Sequence, residues 1–374
     1  MRCVLAPDSF KGSLAAPEVA AAIGRGLQRA LPDVVLDTCP MADGGEGTLQ
    51  ALESAGCGQL RAATVHDAEG RLRTVQWLQG AELAVLEVAQ AVGLPDVGAS
   101  TLAERHSGGV GELLRQMLDA GCRRIAVALG GSSTNDGGAG LLVALGGRWL
   151  AADGSQLSPL PASWPQAVYF DESGLDPRLS ALQLEVWSDV GNPLCGPLGA
   201  SAVFGPQKGL QVQDLSRFDT ALQWLAGALL RQRPGLALDV AGGGAAGGMG
   251  FALQWLGARQ LSGAAAVSEV NGLAARIAAA DWVITGEGRS DSQTLHGKAP
   301  ALVAQLARQC GVAVSLLSGA VEDNPVLSTA FDGCFSLCPQ PATLAQAMQQ
   351  AAPWLEQVAE QMLRLRLAAR RQAC

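Results

Sequence analysis

A chain of 374 residues, 48% of them hydrophobic, can bury a sizeable core, and at roughly 100 to 200 residues per domain it has room for two. A formal net charge of -8, with no clustered basic stretch, excludes nucleic acid as the main partner, although a small anion can still bind at local cations. No apolar run approaches the ~18 residues of a membrane span, and MRCVLAPDSF turns polar too soon for a signal peptide, so a cytoplasmic protein without a membrane partner is expected.

The opening CVLAPDSFKG is an apolar run that meets a Pro-Asp-Ser turn, which predicts a buried strand ending in a loop. A helix should follow, with Pro17 in its first turn, Glu18 beside it, and Val19, Ile23, Leu27 and Ala30 at helical spacing. VVLDTCPMADGGEG repeats the pattern as a strand, a loop with Asp43, Gly44, Gly45 and Glu46, and a helix through Leu49 and Leu52. Strand, loop and helix twice over predict a parallel, doubly wound sheet.

TVHDAEGRLRTVQW alternates across an Ala-Glu-Gly-Arg turn as an antiparallel hairpin does, and is taken as a domain boundary. Beyond it, RRIAVALGG predicts a strand, followed by a Gly/Ser/Thr loop and a helix from about Asp136. A Pro-rich connection near 158 to 177 leads to a strand at LEVWSDV and helices around 213 to 231 and 247 to 257. The opening style returns near 281 with DWVITGEGRSD, a helix from 298 and a strand at VAVSLLSG. Leu344, Met348, Leu355, Val358, Met362 and Leu365 form an apolar stripe, which predicts a docked terminal helix. The expected architecture is α/β: a split Rossmann-like parallel-sheet domain of residues 1–64 plus 281–374, with a second α/β domain, 65–280, inserted.

Nine cysteines, an odd number with no CxxC, give neither a disulfide framework nor a zinc site and read as reduced, mostly buried thiols. His66, His106 and His296 lack metal-ligand spacing. The basic residues are more telling. Only three of 26 are lysine, Lys11, Lys208 and Lys298, and each touches a glycine, in FKG, QKG and HGK. A compact ammonium beside exposed backbone suits a phosphate or carboxylate, although lysines also fall in glycine-rich loops without any such role.

Acidic residues recur in Gly-rich loops just after predicted strands: Asp8, Asp43 with Glu46, Asp136, Asp189, and Glu287 with Asp291. Such loops are where open α/β sheets bind ligands. Phosphoryl transfer needs carboxylates for Mg²⁺, a carboxylate to take a hydroxyl proton, and cations on the transferred group; the same acids also serve as turn formers and helix caps. In LGGSSTNDGGAG, Gly130, Gly131, Ser132, Ser133 and Thr134 can offer backbone N–H groups to a phosphate, or form a tight packing turn capped by Asn135 or Asp136. No GxxxxGK[ST] occurs, which excludes the Walker loop. GGGAAG from Gly242 to Gly247, with Glu269 beyond, matches a dinucleotide fingerprint but reads better as a Gly-rich helix entrance.

APDSFKGSL, MADGGEGT, ALGGSSTNDGGAG, SDVGNPLCGPLGA, FGPQKG and TGEGRSDSQTLHGK together resemble the bacterial glycerate kinases that make 2-phosphoglycerate. The blocks run in family order from residue 6 to 298. The resemblance implies ATP, Mg²⁺ and D-glycerate, with the active site in the cleft between the split domain and the insert. Carried over by motif, Asp189, Lys11, Arg289 and Lys298 are expected to be catalytic: Asp189 as base or metal ligand, Lys11 on the transferring phosphate or the glycerate carboxylate, Arg289 as a second anion clamp. Asp8, Ser9, Gly44, Gly45, Gly130, Gly131, Ser132, Ser133, Thr134, Asn135, Asn192 and Lys208 are expected to bind substrate or nucleotide. Asp43, Glu46, Asp136, Glu287 and Asp291 are expected around the metal. Ala15 stands where the family often has a serine able to cap the first helix. The other activities in view are an NAD-dependent dehydrogenase of a small hydroxy acid and a kinase of another hydroxy acid.

Overall fold

The structure, a computed structural model, describes residues 1–164, 168–295 and 298–372, apart from the side chains of Gln293, Arg370 and Gln372. It divides into two compact units: Met1–Asp43, Gln50–Cys57 and Gly263–Cys374 form the first, Gly44–Leu49 and Gly58–Ser262 the second. The helices Gly263–Val270 and Leu273–Ala278 pack against each other and on Ala299–Gln309, so the returning segment of unit 1 begins at Gly263 rather than near 281.

Unit 1 is built on five strands, all parallel, in the order Gly333–Ser336, Val314–Ser318, Trp282–Thr285, Arg2–Leu5, Val35–Thr38. Numbered along this unit, that is the doubly wound order 2-1-3-4-5, whose switch point lies between its first and third strands. The central strands are apolar throughout because both faces are covered; Cys3, Val4 and Leu5 are fully buried, as are Val283 and Ile284. The first helix, Ala16–Ala30, has Pro17 in its opening turn and buries Val19, Ile23 and Leu27. Ala15 has no acceptor to cap it, and the Glu18 carboxylate accepts from the Ala15 N–H instead, at 2.8 Å.

Helix Ala351–Gln372 lies along that first helix. Arg25 and Arg29 both donate to Glu356, Arg25 at 2.6 Å. The expected terminal stripe is only partly right. Leu344 and Leu365 are exposed at 77% and 66%, while Ala351, Leu355, Ala359, Met362 and Leu363 are buried. A break at Gln350 separates helix Leu344–Gln349 from the long one, so one heptad-like count cannot run through both.

Unit 2 has six strands in the order Arg259–Leu261, Gln183–Trp187, Arg124–Ala128, Ala84–Glu87, Leu72–Gln79, Gln59–His66. The first four are parallel, and the last two are the expected antiparallel hairpin, which forms the edge of this sheet. The Pro-rich connection holds an element the sequence pattern did not suggest: Val168–Asp171 pairs antiparallel with Arg148–Ala151. Trp149, Trp164, Phe170 and Trp255 stack around that hairpin with centroids 4.5–5.4 Å apart. Among the described residues eight cysteines are free; Cys3 and Cys39 are buried, Cys310 and Cys338 exposed, and the others half-buried, so fewer are buried than expected. No helix of the described residues is long and apolar enough to cross a membrane.

Gly26 sits where the first and last helices meet, and a Cβ there would lie 2.2 Å from the Glu356 carbonyl oxygen. Gly26→Ala therefore trades about 1 kcal/mol of helix propensity for a backbone clash, and overpacking typically costs ~1–3 kcal/mol. The variant should lose net stability in a urea melt; equal or higher stability would show that the helices separate freely.

Candidate active site

The switch point of unit 1 gathers the site. Strand Arg2–Leu5 ends at Ala6, whose N–H donates to Ile284 O at 2.8 Å, and the Asp8 N–H then donates to Gly286 O at 2.8 Å. The loops leaving the first and third strands are thus stitched together, with Asp8 on one and Glu287 on the other. They border an open cavity of 960 Å³ whose lining includes Asp8, Ser9, Lys11, Asp43, Glu287, Arg289 and Lys298. Seven residues singled out in the sequence share this one cavity.

Their electrostatics differ. Glu287 is buried at 8% exposure and fully employed: Oε1 accepts from Thr294 Oγ1 at 2.6 Å and Ser290 Oγ at 3.3 Å, Oε2 from Lys298 Nζ at 3.2 Å. Lys298 holds the N-cap position of helix Ala299–Gln309 and is thereby aimed back at Glu287. Asp8 is bonded by its neighbour Ser9, whose N–H donates to Oδ1 at 2.6 Å. Burial, with the Asp43 charge adding to it, pushes the Asp8 carboxyl from 3.8 up to about 7. Lys11 and Asp43 are exposed, and Arg289 is 73% exposed, 3.6 Å from Asp291. The Asp291 N–H donates to Thr294 Oγ1 at 2.9 Å. His296 of the HGK motif lies outside the described residues.

The remaining predicted residues belong to unit 2, at the carboxyl ends of its parallel strands. Strand Arg124–Ala128 leads into the loop with Gly130, Gly131, Ser132, Ser133, Thr134 and Asn135; Gln183–Trp187 leads to Asp189, which is exposed, and to Asn192, whose Nδ2 donates to Leu198 O at 2.8 Å. Gly44 and Gly45 meet this loop directly, with the Gly130 N–H donating to Gly44 O at 3.3 Å. Glu46 is exposed on the same segment.

Lys208 faces inward. It is 4% exposed, and its Nζ donates to Ser132 Oγ at 2.9 Å and Thr134 O at 2.7 Å, bracing the loop from within. Burial, with Arg105 nearby, depresses its ammonium to about 7. Asp136 is likewise committed, accepting from the Ser107 N–H and hydroxyl at 2.8 and 2.7 Å and from the Gly140 N–H at 3.0 Å. The GGGAAG stretch enters the short helix Met249–Trp255 from turns rather than from a strand, so it lacks the setting of a dinucleotide fingerprint. Its Gly247 packs on the loop, where a Cβ would stand 2.0 Å from Thr134 O.

Two residues escaped the sequence reading. Arg105, 7% exposed, donates to Ser133 O at 3.4 Å and Lys208 O at 3.1 Å. Glu87, 1% exposed, accepts the Leu49 N–H at 2.7 Å and is pushed up to about 7 by burial. Glu87 carried a signal, since it too is an acid closing an apolar strand, AVLE; Arg105 carried none.

A model of the glycerate kinase family matches residues 3–367. The glycerate kinase of Bacillus subtilis (strain 168) is 41% identical over 366 residues, 96% of each chain, and the glycerate 2-kinase of Escherichia coli (strain K12) 40% over 358 residues, 94% of each. The crystal structure of a candidate glycerate kinase 2 from Salmonella typhimurium LT2 matches with a TM-score of 0.88 at 40% identity, over 99% of each chain. The chain belongs to the glycerate kinase family. Membership makes it an enzyme and a kinase.

Among the described residues no three His, Cys, Asp or Glu side chains are placed to hold a metal ion by themselves. Mg²⁺ commonly uses one or two carboxylates and completes its shell with water and substrate phosphate. Asp8 and Asp43 offer hard oxygen donors, and a dication beside them would relieve the repulsion that helps raise Asp8.

Because Asp8 is raised in the folded chain, the folded state holds a proton between about pH 4 and 7 that the unfolded chain has released, and stability falls as pH rises through that window. Asp8→Asn should therefore melt a few degrees above the wild type at pH 8 without ligand, and lose that advantage by about pH 4. Equal melting temperatures at both values would show that the carboxylate is not strained.

Proposed function

We propose that the chain transfers the γ-phosphoryl group of ATP to the C2 hydroxyl of D-glycerate, giving 2-phosphoglycerate and ADP, with Mg²⁺ as the required cation. The observation that carries this reading is the gathering of Lys11, Arg289 and Lys298 with Asp8, Asp43 and Glu287 at the switch point of a parallel sheet, in a chain whose relatives are named glycerate kinases. Phosphoryl transfer asks little covalent chemistry of the protein: the hydroxyl oxygen bonds phosphorus as the bond to ADP breaks, and the hydroxyl proton must leave.

Lys11 and Arg289, both exposed, can follow a phosphoryl group or the acid's carboxylate. Lys298 is held in place by Glu287. Asp189, presented at the end of a strand, is assigned the hydroxyl proton. Mg²⁺, held by Asp8 and Asp43, would supply charge neutralisation on the phosphates. The loop from Gly130 to Asn135, with Asn192, is assigned to binding substrate oxygens; Lys208 keeps that loop in shape.

A coupled ADP-release assay across small hydroxy acids tests this, with Mg²⁺-dependent turnover expected for D-glycerate and ³¹P NMR placing the phosphate on C2. Lys11→Ala should lower kcat/KM by about a hundredfold or more, and Asp189→Asn by about 10²–10⁴-fold. ADP released with another hydroxy acid but not glycerate would overturn the substrate and leave the kinase class standing. A nicotinamide absorbance change without ADP would overturn the kinase itself.

A further inference from the structure

The cavity of unit 1 is far larger than a three-carbon acid requires. Its 960 Å³ lies near the top of the ~300–1,000 Å³ range of pockets for drug- and cofactor-sized ligands. It also has two chemically distinct parts. One carries the ionic groups already described. The other is apolar, formed by Leu344, Ala347 and Met348 beside the buried Leu337.

Leu344 opens helix Leu344–Gln349 with 77% of its surface exposed, and Met348 follows one turn later on the same face. Leaving a leucine in water forgoes burial worth about 25 cal/mol per Å². A thioether beside it adapts to a flat aromatic surface. Thr343, which caps this helix and lines the cavity, is occupied by Gln346, donating to its Oε1 at 3.1 Å. The wall therefore offers area rather than hydrogen bonds.

The apolar wall and the cationic loop form one frame. Ser13 Oγ donates to Met348 O at 2.6 Å, and Phe10 and Leu14 bridge across the turn that carries Lys11. A ligand that spans both parts must be a flat apolar group joined to a polyanion. We propose that this cavity is the nucleotide site, with the base of a nucleoside triphosphate against Leu344 and Met348 and its phosphates at Lys11, Arg289 and Lys298. The assignment rests on the kinase reading above and deepens it by giving the nucleotide a place and naming the helix that receives the base.

The test reads binding directly, so it stands apart from turnover. ADP titrated into the wild type by calorimetry should bind, and Leu344→Asp should weaken it at least about tenfold; an aspartate in a first helical turn is compatible with the helix, so melting should change little. In steady state the same variant, and Met348→Ala more mildly, should raise KM for ATP while KM for glycerate stays within about twofold. Independently of any variant, ADP should slow alkylation of Cys338, which is exposed on the cavity lining, and leave the exposed Cys310 unaffected. The site is overturned if ADP fails to bind, if it protects neither or both cysteines, or if KM for glycerate moves in place of that for ATP. ADP binding here without glycerate turnover would support the site and refute the substrate.

Discussion

One pairing governs unit 1. Strand Arg2–Leu5 lies parallel to Trp282–Thr285, with Cys3 opposite Trp282 and Leu5 opposite Ile284, and Thr285 Oγ1 reaches across 279 residues of sequence to donate to Ala6 O at 2.8 Å. Closing so long a loop costs entropy that grows only slowly with its length. Complete burial of Cys3, Val4, Leu5, Val283 and Ile284 offsets it. The pairing puts the two strands of a doubly wound sheet whose exits diverge side by side, and their exit loops deliver Asp8 and Glu287 to the same opening. A strand slipped by one residue would turn its alternating side chains over and break the Asp8–Gly286 bond that ties the two exit loops together.

The two acids show opposite solutions to the cost of a carboxylate away from bulk water. Glu287 is surrounded by donors: two hydroxyls and an ammonium. It is a brace, and it fixes Lys298. Asp8 is buried and lies in the field of Asp43, and its bonds from Ser9 do not offset them, so its ionised form is destabilised.

The sequence was most readable where chemistry and topology coincide. A buried parallel strand is a short apolar run, and an acid in the turn behind it marks the carboxyl edge, so the positions of Asp8, Asp43 and Glu287 in the fold were legible in the sequence. It was least readable where the answer depended on pairing partners. Nothing in ERHSG shows that Arg105 turns inward to the carbonyls of Ser133 and Lys208. The alanine-rich segment from Gly263 to Ala278 has too little pattern to show which sheet it serves, and its packing on Ala299–Gln309 moved the boundary by some turns of helix. The terminal stripe held through Leu355, Val358 and Met362, and its first residue, Leu344, was lost to a break at Gln350 that resets the helical phase.

The three lysines occupy three different physical settings. Lys11 is exposed on the cavity, Lys298 is paired with Glu287, and Lys208 is buried with neutral partners. At Lys208 the Nζ sits between the Ser132 hydroxyl and the Thr134 carbonyl, and Gly247 is packed against that same carbonyl so closely that even a methyl group on it would not fit. Burial depresses the Lys208 ammonium to about 7, and the lysine ties the loop from inside through two neutral oxygens.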